Sequence, residues 1–284
     1  MPTILACTDG STFAPSVYQH AAWAALRLQA GVEVLHVLVH HREHSPIADL
    51  SGAIGMDASV HLTEELTRVE EAQGREARLK GKAILEDARQ QLTTAGVTDI
   101  TLTQRHGDVV ETLAELEPRA ELIVVGKSGE HAVLAEGQVG GHLENLVRLS
   151  VRPVLVAERA FQPIRRFLLA YDHSPSARKA VDYVAASPLL RGLECQLVMV
   201  GLADAAHETA LQDARDRLAR AGYTVTAQLL PGRAAAVIAD QVKSAHIHLL
   251  VMGAYGHSQL REFFVGSTTT KLVHTCPVSV LMFR

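Results

Sequence analysis

Cysteine, runs of basic residues and long apolar stretches are all scarce in this chain, and each scarcity excludes a class of protein. The three cysteines, Cys7, Cys195 and Cys276, lie far apart and form no CxxC pair. That spacing excludes a disulfide framework and reads as small buried hydrophobes in a reducing compartment. No run of lysine and arginine appears, which argues against nucleic acid as the main partner. No apolar stretch approaches the ~20 residues that a membrane helix needs, so no membrane partner is expected. The chain opens on a short apolar strand with no basic segment or cleavage site before it, and a cytoplasmic protein is the expectation. What is present is an ordinary globular composition: 48% hydrophobic and 20% charged residues, with a net charge of −4. The 284 residues exceed one typical domain, so two are expected.

An internal repeat divides the length. Ile4-Leu5-Ala6-Cys7-Thr8-Asp9-Gly10-Ser11 matches Phe167-Leu168-Leu169-Ala170-Tyr171-Asp172-His173-Ser174, at an offset of 163 residues between the aspartates. Val34-Leu35-His36-Val37 matches Leu197-Val198-Met199-Val200 at that same offset. Farther along, Ala95-Gly96 matches Ala221-Gly222, Gly107 matches Gly232, and Leu122-Ile123-Val124-Val125-Gly126 matches the run ending at Gly253. A repeat this long describes two whole domains rather than a solenoid. The offset falls to 127 because the first copy carries a small and polar stretch at 40–57 and then a charged helix at about 63–92. The second copy has room for one helix there. Residues 1–158 and 164–284 are the expected domains, joined through 158–166 with its Pro163.

Within each copy, continuous Val/Ile/Leu runs alternate with helical periodicity, as at Ala177, Ala180, Val181 and Val184. Strands apolar on both faces imply a parallel sheet flanked by helices, five strands to a copy. Ligands in such sheets sit beyond the strands' carboxyl ends, where the strand order reverses. Ala170 with Asp172, Val200 and Gly253 all fall at or just past such ends.

The most specific motif follows. The apolar run 249–252 breaks at Gly253 and again at Gly256, and nine residues later Gly266-Ser267-Thr268 opens an amphipathic stretch. A glycine loop ending at a helix N-terminus offers backbone N–H groups and a favourable dipole to phosphate. The spacing G-x2-G-x9-G-S is the phosphate-binding signature of the universal stress protein family, which this chain resembles over nearly its whole length. The resemblance implies an α/β fold of two tandem five-stranded, Rossmann-like (adenine nucleotide alpha hydrolase-like) domains. It also implies an intramolecular pseudo-dimer joined through the last strands, with further pairing of tandem chains left open.

For the second copy the resemblance implies an ATP site. Gly253 and Gly256 would line the ribose and phosphates, and Gly266, Ser267 and Thr268 would cradle the phosphate tail. Val200 would give backbone contacts to the adenine, and Ala170 lies among the nucleotide-facing positions. Asp172 would sit near the ribose or a phosphate-bound Mg²⁺, the other reading being a helix cap. His257 could reach a phosphate or remain an exposed loop histidine. The first copy keeps Asp9, Val37, Gly126 and Gly129, but its next glycines, Gly140 and Gly141, come one residue late. Gly141 then stands in the serine's place and His142 in the threonine's. A degenerate site is expected there, with Lys127 and His142 able to supply charge.

Three features remain. His40, His41 and His44 with Glu43 form a weak candidate zinc set, more simply solvated loop residues. His36, inside an apolar strand, reads as a satisfied core histidine. The charged helix at 63–92 reads as a solvated face. The expected function is an ATP-binding stress-response regulator whose nucleotide state governs unknown protein partners, with at most weak hydrolysis. The rival is a slow ATPase or adenylating enzyme, but the first-strand loops lack an SGGxDS pattern and there is no Walker sequence. A flavin carrier is the third reading.

Overall fold

The computed structural model describes residues 2–38, 56–127, 141–254, 271–273 and 275–284. In the first half, β1 (Thr3–Cys7), α1 (Ala14–Leu28), β2 (Gly31–Leu38), α2 (Met56–Thr94) and β3 (Ile100–His106) lead to α3 (Val109–Leu116). Then follow β4 (Ala120–Gly126), α4 (Gly141–Leu149) and β5 (Val154–Ala157). The second half runs β6 (Arg166–Ala170), α5 (Pro175–Ala186), β7 (Glu194–Val200), α6 (Ala205–Arg220), β8 (Val225–Leu230), α7 (Ala234–Ser244), β9 (Leu249–Gly253) and β10 (Ser279–Phe283). The charged helix expected at 63–92 is therefore longer, with 39 residues spanning ~58 Å. It begins inside the stretch expected to be loop.

The ten strands among the described residues form one sheet in the order β3-β2-β1-β4-β5-β10-β9-β6-β7-β8. Each half is parallel with the order 3-2-1-4-5, and the halves join where β5 and β10 pair antiparallel through Val156–Val280 and Val154–Met282. That reversal has a geometric consequence. The carboxyl ends of β1–β5 and those of β6–β10 lie on opposite edges of the common sheet. Within a half, the order reverses between β1 and β4, and again between β6 and β9, which places one switch-point crevice at each edge.

Alternation along the strands sorts the core into two layers. Ile4, Ala6, Val32, Val34, Leu122 and Val124 face one way, onto buried residues of α1, α2, α5 and α6. Leu5, Leu35, Ile123 and Val125 face the other, onto α3, α4 and α7. Both faces are covered, which is why the strands read as unbroken apolar runs. The repeat extends to backbone conformation. Gly96 and Gly222 end α2 and α6 at φ 93° and 92°, and Gly107 and Gly232 follow β3 and β8 at 132° and 127°. Left-handed backbone of this kind favours glycine, hence the matched pairs.

The cysteines are free, with Cys195 and Cys276 buried. Burial pushes the Cys195 thiol up to about 12, so it is inert at neutral pH. His36 is buried and its Nδ1 donates to the Thr8 carbonyl at 2.8 Å, the satisfied core role expected of it. No described helix is long and apolar enough to cross a membrane.

Candidate functional site

The second half's crevice is built by the turn after β6. Tyr171 N–H extends the ladder to Val198 O at 2.9 Å, and the chain then turns sharply at Asp172. Asp172 Oδ1 accepts the Ser174 N–H at 3.0 Å, and Ser174 Oγ accepts the Ala177 N–H at 3.2 Å. Ser174 is thus the N-cap of α5 and Asp172 closes the tight turn before it, so the capping role weighed for Asp172 belongs to Ser174. Between them His173 adopts φ 61°, a left-handed conformation that is costly for a residue bearing a Cβ.

Across the switch point, β9 ends at Gly253. A Cβ there would stand 2.8 Å from the Ala177 backbone nitrogen and also collide with Ser176. The glycine is required because the first turn of α5 lies directly on the strand end, a structural demand that exists before any ligand binds. Ala170 is buried and pairs directly with Met252 on β9, and Val200 is half-buried at the end of β7. Asp172, Val200 and Gly253 are therefore brought to one edge.

A cavity of about 460 Å³ opens beside this turn, lined by Asp172, His173, Arg178, His207 and Ala210 among others. Arg178 donates to the His173 carbonyl at 2.9 Å, and His207 Nδ1 lies 2.7 Å from Asp204 Oδ1. Asp204 also accepts the His207 backbone N–H as the N-cap of α6, and these bonds hold its carboxyl below the usual range. The pocket thus has one carboxylate from the turn and a rim of guanidinium and imidazoles. Arg178, His207 and Ala210 were not singled out from sequence. The matched pair Gly96 and Gly222 carried the needed signal, since it aligns α2 with α6.

That alignment places Ile84 opposite Ala210. The turn after β1 repeats the second half's geometry, with Asp9 Oδ1 accepting the Ser11 N–H at 2.9 Å and Gly10 at φ 75°. Here, however, a Cβ on residue 10 would lie 2.6 Å from Ile84 Cδ1. Ile84 fills the space that Ala210 leaves empty and forbids a side chain where the second half carries His173. Val37 is half-buried at the end of β2, and Gly126 ends β4. Lys127 is engaged elsewhere: its Nζ donates to Glu158 Oε2 at 2.6 Å and to Cys276 O at 2.7 Å. Its charge is therefore committed to the junction between halves rather than offered to the Asp9 crevice, contrary to expectation.

A stability test follows from the paired turns. His173→Gly is expected to raise stability by about 0.5–1 kcal/mol by relieving the left-handed backbone. Gly10→His is expected to lower it by about 1–3 kcal/mol or more through overpacking on Ile84. Urea midpoints of the two variants check the opposite signs.

Gly256, His257, Gly266, Ser267 and Thr268 lie outside the described residues, as do Gly129, Gly140, His40, His41 and His44. Gly141 opens α4. Among the described residues no cluster of three or more His, Cys, Asp or Glu could hold a metal ion.

The profile of the universal stress protein family matches residues 1–158 and 196–284. The chain belongs to the universal stress protein family. It is 34% identical over 287 aligned positions to universal stress protein Slr1230 of Synechocystis sp., covering 100% of both chains. Universal stress protein Rv2005c of Mycobacterium tuberculosis is 29% identical over 62% of this chain and 65% of its own. Among solved structures, a universal stress protein from Archaeoglobus fulgidus superposes with a TM-score of 0.74 at 19% identity, covering 99% of this chain and 98% of that one. At that identity the likeness concerns the fold.

Proposed function

We propose that this universal stress protein holds one adenine nucleotide, ATP with Mg²⁺, at the carboxyl edge of its second half and acts as a nucleotide-dependent regulator. Residues 1–158 and 164–284 are its two domain units. The observation that carries the reading is the asymmetry between the two switch points. Asp172 lines a cavity of about 460 Å³ at the strand edge where Val200 and Gly253 also end, whereas Ile84 stands against Gly10 in the matching turn of the first half. The chain that follows Gly253 carries the remainder of the G-x2-G-x9-G-S spacing, the one copy in which it is intact. Backbone N–H groups of such a loop suit a phosphate chain, and a ribose hydroxyl or a bound cation suits Asp172. The first half, with its filled crevice and altered loop, acts as the structural partner. The reading is of a binding protein rather than a turnover enzyme.

At a hundredfold excess over Kd, ATP should stabilise the protein by about 2.7 kcal/mol, a rise of roughly 5–10 °C in Tm. Gly266→Val combined with Ser267→Val should abolish the shift without lowering the Tm of the unliganded protein. An undiminished shift in that double variant places the nucleotide elsewhere. Nucleotide released from denatured protein, identified by mass, is expected at one equivalent per chain; two equivalents would contradict the asymmetry.

A further inference from the structure

A second cavity, of about 400 Å³, lies where the two halves meet, at the carboxyl edge of β4 and β5 and the amino edge of β9 and β10. We propose that it is a binding site for a small oxyanion, the phosphate or carboxylate group of a small metabolite, separate from the nucleotide crevice. Its walls come from both halves: Lys127, Glu158, Arg159 and Gln162 from the first half and the connecting stretch, His248 and Thr275 from the second. It exists only because the antiparallel β5–β10 pairing brings opposite strand ends together.

The polar groups of this lining are unevenly satisfied. Glu158 is fully engaged, since Oε2 accepts from Lys127 Nζ at 2.6 Å and Oε1 accepts the Arg159 backbone N–H at 3.1 Å. Lys127 uses two of its three N–H groups, on Glu158 and on Cys276 O. With that pair neutral, the guanidinium of Arg159 is the surplus charge of the lining, and no carboxylate among the described residues pairs with it. His248 contributes to the wall, though its Nδ1 is itself buried and no described residue hydrogen-bonds it. A donor-rich lining with one net positive charge selects an oxyanion, and guanidinium and ammonium groups are the usual recognition groups for it. Ala160, Pro277 and Val278 add apolar wall, which fits an anion carried on a small organic body.

Among the described residues, the pseudo-symmetric position at the other edge of the sheet lacks the Lys127–Glu158 pair. Ala254 replaces Lys127 and is fully buried, and Arg284 stands where Glu158 would be, donating to Leu149 O. The site therefore has no matching charged pair among the described residues, and it lies on the edge opposite the proposed nucleotide crevice. An anion there would tie the connecting stretch to the second half and stiffen the junction.

The test uses inorganic phosphate and succinate as probes, at constant ionic strength set with sodium chloride, in the full chain carrying Gly266→Val and Ser267→Val. That background removes the nucleotide cradle as a competing phosphate site. A saturable rise in Tm at millimolar concentration of one or both anions is expected, and Arg159→Ala should weaken it at least tenfold, with partial recovery in Arg159→Lys. Arg159 is exposed, so its loss should leave the fold readable; Lys127→Met is the second variant, expected to weaken the effect similarly. No saturable effect, or an effect unchanged in Arg159→Ala, overturns the site. If phosphate acts on the natural chain but not in this background, it binds the nucleotide cradle, and the junction site alone is lost. If ATP fails to stabilise the natural chain while the Arg159-dependent effect persists, the nucleotide reading alone is lost.

Discussion

Gly253→Ala should destabilise the second half by about 2–3 kcal/mol, and Gly253→Val by more, because the new atoms meet backbone rather than a yielding side chain. The Ala177 nitrogen would be 2.8 Å from the added Cβ, within a helix turn pinned by the Ser174 cap. The collision can be relieved only by lifting α5 from β9. That lift would expose Ala177, Ala180 and Val181, all fully or nearly fully buried against the sheet. It would also move the Asp172 turn, so nucleotide affinity is expected to fall with stability. Gly201→Ala serves as the control, since its Cβ would meet His207 at an ordinary 3.4 Å. Urea unfolding of both variants tests the contrast, and equal midpoints would show that the close approach is not what requires glycine at 253.

Acid should loosen the junction through His20. This side chain is 2% exposed on α1, and its Nδ1 donates to Ser16 O at 2.7 Å. Its Nε2 is then an acceptor and receives the Ser279 hydroxyl of β10 at 2.8 Å. Ser279 Oγ in turn accepts the Glu158 N–H at 3.0 Å, and Ser16 Oγ donates to Glu158 O at 2.6 Å. The ring closes across the two halves, with Phe161 packed edge-on against the imidazole. Burial, partly opposed by the Ser16 bond, pushes His20 down to about 4.

The sign of the pH dependence follows directly. Between the ordinary value near 6.5 and the folded value, the unfolded chain holds a proton that the folded chain refuses. Stability is therefore complete above pH 6.5, falls as pH drops toward 4, and loses nothing further from this group below that. The full gap corresponds to about 3 kcal/mol, a large share of the roughly 5–15 kcal/mol that holds a typical domain together. His20→Gln cannot titrate, so its urea midpoint should change less between pH 7 and pH 4 than that of the natural chain. Parallel pH profiles for the two proteins would remove His20 from the account.

The repeat, the strand runs, the matched glycines and the tandem family resemblance were all legible in the amino-acid order. Each is a local or periodic signal: a two-sided apolar strand and a glycine at positive φ are imposed by the residue's own neighbours in sequence. The satisfied role of His36 was legible for the same reason. The switch-point positions of Asp172, Val200 and Gly253 followed from strand ends. Helix boundaries were less so, and α2 starts several residues earlier than its charge pattern suggested.

What sequence left open was decided across space. Only packing shows that Gly253 is glycine because α5 sits on it, or that Ser174 rather than Asp172 caps that helix. The fate of Lys127 depended on Glu158 and Cys276, which lie 31 and 149 residues away along the chain. Ile84 and Ala210 are both unremarkable apolar residues in a helix, yet one stands against Gly10 and the other lines a cavity. Composition and periodicity determine which elements form. Whether a side chain fits after β1 or β6 depends on the volume of a helix residue far along the chain, and volume acts only once distant elements are in contact.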